Sequence, residues 1–245
     1  MKLTIFATVE ALLQGFAEYF VATANQAIAE RGQFSVALSG GNSPKKLFEL
    51  LASDAFRAQV AWEKVYFFFG DERYVPHTSP DSNYLMAKKA LLDPLNIDSS
   101  HIFPVDTSVP PVQAAQRYEA TIDQFFRGQP ARFDLLLMGL GDNAHTASLF
   151  PHTPVLHEEA AGIREVYLED KKVYRITMTA PLINQGRNVA FLVYGADKAA
   201  ALRRVLEEAR NIEEYPAQLI APTDGDLHWF VDQAIASELK NSYNT

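Results

Sequence analysis

Between Phe133 and Pro151 the chain reads FDLLLMGLGDNAHTASLFP, and this stretch constrains the fold more than any other. Phe133 and Leu135 to Met138 form an apolar run long enough for a buried strand and too short for a core helix. Gly139 and Gly141 then open the backbone, and His145 heads a short segment, Thr146 to Phe150, that Pro151 closes. A buried strand that ends in a glycine turn delivers polar groups to the carboxyl edge of a sheet, where open α/β folds bind ligands. The ordinary pKa of a histidine lies near neutrality, so His145 is a candidate proton carrier. Asp142 and Asn143 would serve equally well as plain turn formers, with His145 capping a helix. The rest of the chain decides between the two.

The same pattern recurs. The N-terminus, MKLTIFATVEALLQGF, reads as a strand and an amphipathic helix and lacks the basic leader of a signal peptide. Residues 9–31 carry Leu12, Leu13, Phe16, Phe20, Ala24 and Ile28 at helical spacing and stop at Gly32. Phe34 to Leu38 form a second apolar strand, followed by Ser39, Gly40, Gly41, Asn42, Ser43 and Pro44, with Ser43 suited to cap a helix and Pro44 to its first position. Convergent glycine N–H groups and a helix N-terminus make such a turn a phosphate cradle. It matches neither the P-loop nor the dinucleotide pattern, so ATP and NAD are not indicated. An ordinary tight βα turn is the plainer alternative.

A third strand, Val65 to Phe69, runs into Gly70, Asp71, Glu72 and Arg73, three charges at the same sheet edge. A helix is expected from Asp81 or Ser82 to Leu92, a proline-rich passage at 101–111 with Ile102 and Phe103 as a short strand, and a helix over 112–126. Pro154 to Ala161 read as loop with a helical turn. Val173 to Met178, VYRITM, is a strand carrying Arg175, a charge that needs an anion or a carboxylate beside it. Ala180 to Gln185 give a short helix and Val189 to Val193 another strand. Gly195 precedes a helix capped by Ala196 or Asp197 and containing Lys198; Trp229 to Val231 are the last strand, and a closing helix starts at Asp232. Alternation throughout predicts an α/β fold: one Rossmann-like domain over 1–245, its mostly parallel sheet covered by helices on both faces.

Composition narrows the partners. A formal net charge of −8 argues against nucleic acid or an anionic membrane as the general partner. The absence of cysteine rules out disulfides, thiolate catalysis and cysteine-bound metal. No apolar run approaches the roughly 18 residues of a membrane span. A soluble, cytoplasmic protein is expected.

Taken together, SGGNSP, GDERYV, GLGDNAHTASLFP, RITMTAPLIN, GADK and YPAQLIAP resemble the 6-phosphogluconolactonase family, in that family's order, from the first helix to WFVDQAIA. The resemblance implies hydrolysis of 6-phosphoglucono-δ-lactone in the pentose phosphate pathway, with no metal and no organic cofactor, by a monomer or weak homo-oligomer. It implies that His145 is the general base and that Arg73 neutralises charge at the phosphate or the developing oxyanion. Asp71 and Asn143 complete the candidate catalytic set, and Ser39, Gly40, Gly41, Asn42, Arg73, Arg175 and Lys198 the phosphate site. One departure stands out. The family reads G-x-G-P-D-G-H, whereas here Asn143 replaces the aspartate two before the histidine and Ala144 replaces the glycine. Asn143 accepts a hydrogen bond but brings no charge, so either Asp142 substitutes or His145 is a weaker base. Ala144 also tolerates positive φ poorly.

Two other functions are compatible with the superfamily. A glucosamine-6-phosphate deaminase or isomerase would need a carboxylate soon after His145, where TASLFP has none. A non-catalytic sugar-phosphate sensor would need a DNA-binding appendage for which the chain has no spare segment.

Overall fold

The computed structural model describes residues 1–241 and Tyr243. Six strands form a parallel sheet: β1 (Lys2–Phe6), β2 (Phe34–Leu38), β3 (Val65–Phe69), β5 (Leu135–Met138), β8 (Asn188–Val193) and β9 (Asp226–Asp232), in the order β1-β9-β8-β5-β2-β3. Their near-continuous apolar runs follow from burial on both faces. Along β2, Phe34, Val36 and Leu38 point into the core beneath α1 (Val9–Arg31) and α2 (Asn42–Leu51), while Ala37 joins the core on the opposite face. Leu135 and Leu137 against Leu136 and Met138 repeat this on β5. Helix α1 ends at Gly32 in the left-handed conformation, as its sequence leads one to expect.

A second, antiparallel sheet is absent from the sequence reading. It consists of β4 (Asp71–Arg73), β7 (Val173–Met178) and β6 (Ile163–Leu168), in the order β4-β7-β6. The chain passes between the sheets at Gly70, whose N–H donates to Leu38 O (2.9 Å) and whose carbonyl accepts from Met178 N (2.9 Å). Residues 71–73 therefore pair with β7 as a strand and are not a solvated turn.

Several helix boundaries differ from expectation. Helix α2 starts at Asn42 with Gly41 as its N-cap, not Ser43, because Gly41 adopts a φ of 104° that the turn requires. Ser82 does cap α3 (Asn83–Ala87), but the helix continues to Leu92 as a wider π turn. Helix α4 spans Pro111–Phe125 and α5 Ala180–Ile183. Lys198 stands just before α6 (Ala199–Glu207), at the end of a short 3-10 turn, rather than within the helix. Among the described residues beyond β9 a 3-10 turn, Ile235–Glu238, stands in place of a closing helix. No helix among the described residues is long and apolar enough to cross a membrane.

Candidate active site

The carboxyl ends of β2, β3, β5 and β8, roofed by the antiparallel sheet, enclose a cleft of about 310 Å³. Ser39, Gly40, Gly41, Asn42, Asp71, Arg73, His145, Arg175 and Lys198 all line it. Of the candidate catalytic and phosphate-binding residues only Asn143 does not line it; its side chain contacts the His145 ring instead.

The period of a strand explains the β4 side. Alternate residues face opposite ways, so Asp71 and Arg73 look into the cleft while Glu72, fully buried, looks back. Glu72 accepts from the N–H groups of Arg73 (2.8 Å), Asn83 (2.7 Å) and Tyr84 (2.8 Å) and from Ser82 Oγ (3.2 Å), which clamps β4 to the start of α3. Burial pushes its carboxyl group up, against the pull of those N–H groups. Asp71 accepts from Ser148 Oγ (2.7 Å) and from Asn83 Nδ2 (3.3 Å).

Arg73 and Arg175 face each other across the β4–β7 ladder. Like charges directly opposed destabilise a sheet pair, and none of the ion pairs among the described residues includes Arg73, Arg175, Lys198 or Lys171. Burial, and then Arg73, lowers the Arg175 pKa, yet a guanidinium keeps its charge at any working pH. Among the described residues no carboxylate forms an ion pair with Arg175; its guanidinium donates to the Tyr174 carbonyl (3.1 Å) and feels Asp71, Asp81 and Glu72 at longer range.

His145 follows a tight loop, not a helix cap. Ala144 N donates to Gly141 O (3.0 Å) and Gly141 N to His145 O (2.8 Å). Ala144 takes a φ of 61°, so the backbone keeps the left-handed turn despite its Cβ. The imidazole lies so close over Gly141 that a Cβ there would come within 2.1 Å of His145 Nδ1 and Cε1. On its other side the ring stacks on Phe150, centroids 4.1 Å apart. Asn143 Oδ1 accepts from the His145 backbone N–H (3.4 Å), which orients the amide oxygen toward the ring, and it lies 2.5 Å from Nδ1. Nδ1 therefore carries the proton, and Nε2 is left with the lone pair. Burial lowers the His145 pKa from 6.5 to about 4; Lys171 pushes the same way, Asp142 opposes, and Lys198 and Arg175 add to the depression. Asp142 thus supplies a field but does not replace Asn143 as the ring's partner.

The sequence reading missed Lys171, Ser148, Asn83 and Phe150, all on the cleft wall. For Lys171 a signal was present: VYLEDKKVYRITM is two alternating segments around a short polar turn, a hairpin pattern. Among the described residues no group of three or more His, Asp or Glu side chains is arranged to hold a metal ion.

A cationic cleft at a sheet's carboxyl edge, lined by a glycine turn and a neutral imidazole, defines a class: α/β proteins suited to bind small anionic metabolites and to move a proton on them. Residues 7–229 match the model of the glucosamine-6-phosphate isomerases/6-phosphogluconolactonases, and the chain belongs to that family. It is 46% identical over 220 residues to a 6-phosphogluconolactonase of Synechocystis, covering 88% of each chain. It is 41% identical over 217 residues to one of Nostoc, covering 87% of this chain and 88% of the relative. The solved structure of the 6-phosphogluconolactonase from Trypanosoma cruzi superposes with a TM-score of 0.87 at 27% identity, over 98% of this chain and 97% of that one.

Proposed function

We propose that the chain hydrolyses 6-phospho-D-glucono-1,5-lactone to 6-phospho-D-gluconate, the lactone-opening step of the oxidative pentose phosphate pathway, with His145 as general base. The observation that carries this reading is the commitment of His145 Nδ1 to Asn143, which leaves Nε2 free in a cleft that a glycine turn and the cationic side chains Arg73, Lys171, Arg175 and Lys198 also line. Water adds to C1 as Nε2 takes its proton. The tetrahedral oxyanion then collapses with cleavage of the C1–O5 bond, and the imidazolium returns the proton to O5. The new carboxylic acid ionises to the carboxylate. A δ-lactone is an activated ester, so no covalent nucleophile is needed, and a positioned base supplies about 10²–10⁴-fold.

The phosphate belongs at the Gly40–Gly41–Asn42 turn, where the N-terminus of α2 and its free N–H groups favour an anion. Three cations serve that end. Lys198 shares a wall with Asn42 and Ser43. Arg73 donates to Asp81 O (2.9 Å), two residues from the Asn83 amide that packs on Gly40, and Arg175 stands opposite Arg73. We expect a monomer or weak homo-oligomer working in the cytoplasm on a small sugar phosphate. A deaminase would need a carboxylate in the segment after His145, and Thr146 to Phe150 contain none.

The direct test follows acid release from freshly prepared 6-phosphogluconolactone, corrected for spontaneous hydrolysis. His145→Ala is expected to lose most of kcat while 6-phosphogluconate still binds. If product affinity fell as far as turnover, His145 would be a binding group and not the base.

A further inference from the structure

Four cationic side chains line the cleft, but they are not equivalent. Arg73, Arg175 and Lys198 gather around the glycine turn, as argued above. Lys171 comes from elsewhere: the β6–β7 hairpin, whose ladder closes at Leu168 opposite Val173, so that residues 169–172 make its tip. Lys171 N donates to Leu168 O (3.2 Å), and Lys172 takes a φ of 53° to turn the chain. The Lys171 side chain is exposed, in no ion pair with a described carboxylate, and turned onto the cleft wall. Its Nζ lies 5.3 Å from the centre of the Phe150 ring, whose plane is stacked on His145. The ammonium and the imidazole thus share Phe150 as a neighbour.

We propose that Lys171 is the cation that meets the reacting end of the sugar acid and receives the carboxylate formed when the ring opens, opposite the phosphate anchor. This rests on the lactonase reading above. The physical need is clear. Hydrolysis converts a neutral ester into a carboxylate at C1, beside His145, and of the cations around the imidazole Lys171 acts on it more strongly than Lys198 or Arg175. No carboxylate among the described residues forms an ion pair with Lys171. Lys171, Phe150 and His145 all line the same cleft. The charged and titratable groups around His145 are then Lys171, Asp142, Lys198 and Arg175, with Asn143 on Nδ1.

The test compares two ligands that share a phosphate and differ at C1: 6-phosphogluconate, with a carboxylate, and glucitol 6-phosphate, with an alcohol. Their affinities are measured by calorimetry for the native protein and for Lys171→Met, Lys171→Arg and Lys198→Met. Lys171→Met is expected to weaken 6-phosphogluconate by about tenfold or more, as for a lost hydrogen bond to a charged group, and to leave glucitol 6-phosphate unchanged. Lys171→Arg should restore most of the loss, and Lys198→Met should weaken both ligands alike. Lys171→Met should also move the acid limb of kcat/KM upward, because a like charge near His145 has gone. Equal losses for both ligands would make Lys171 a phosphate contact and overturn the proposal, as would no loss for either. Failure of the native protein to bind either ligand would instead sink the sugar-phosphate reading, and the Lys171 assignment with it.

Discussion

Replacing Asn143 with Asp isolates the charge that this chain lacks behind its histidine. The change is isosteric: a carboxylate oxygen takes the place of Asn143 Oδ1, 2.5 Å from His145 Nδ1, so the imidazole keeps its hydrogen bond and its tautomer. What changes is the field. A full negative charge about 4 Å from the centre of the ring is worth about 4 kcal/mol at an effective dielectric of roughly 20, the value for pairs near a protein surface. Asn143 is exposed, so solvent screens part of this, and the measured rise for an opposite charge at contact is about 1–3 pH units. His145 titrates at about 4 in the native chain, so Asn143→Asp should bring it to about 5–7. The variant should then lose activity at mildly acid pH and gain in plateau kcat, since a stronger base with the same geometry removes the water proton more readily. Two assays separate this from the second ionisation of the substrate phosphate, which also falls near pH 6. One is the pH dependence of kcat/KM between about 4 and 8; the other is an NMR titration of the His145 ring in the ligand-free protein. An acid limb that stays put, or moves down, would show that Asn143 is not the partner of the imidazole and would refute the reasoning.

The close approach of His145 to Gly141 gives a second test. Gly141→Ala puts a Cβ about 2.1 Å from the ring, so the imidazole must swing away, and kcat is expected to fall by about 10²–10⁴-fold with little change in melting temperature; kcat within a factor of a few of native would contradict it. Stability should also depend on pH in a set direction. Burial holds both His145 and His228 near 4, against about 6.5 when unfolded. Between those values the unfolded chain binds more protons, so stability is full above about 6.5 and declines as pH falls toward 4. The urea midpoint should drop across that window, and less so in a His228→Gln variant that keeps the contact to Thr4 (2.9 Å); a flat midpoint would argue against neutral burial of these rings.

The parallel sheet was legible because its strands are short apolar runs, four of which, β2, β3, β5 and β8, lead into glycine and polar residues. For the same reason the carboxyl-edge residues could be named before any geometry was known. Of the antiparallel sheet only β7, Val173–Met178, was read as a strand, and its pairing was not. Its strand β4 is DER, three charged residues that no pattern of hydrophobicity marks as a strand. They form one because Asp71, Glu72 and Arg73 pair with Thr177, Ile176 and Arg175, and because Glu72 finds its partners on α3. Such pairings are tertiary and leave no local trace. The boundary errors share that origin: a serine before a proline looks like a cap, but the left-handed Gly41 starts the helix earlier.

The two departures at Asn143 and Ala144 separate two properties that usually travel together. Where the imidazole sits is fixed by backbone. The 141–145 loop closes on its own hydrogen bonds, and Ala144 O is tied to Ala217 N (3.0 Å), so the turn survives an alanine whose left-handed conformation costs about 1–2 kcal/mol. How basic the imidazole is depends instead on side chains, and there the balance has shifted: the partner on Nδ1 is neutral, Lys171 is cationic, and only Asp142 opposes. A base held neutral down to about pH 4 abstracts protons with less driving force but is never lost to protonation at working pH. For an ester as reactive as a δ-lactone that exchange is tolerable. The correct position of the base then matters more than its strength, and the loop has kept the position.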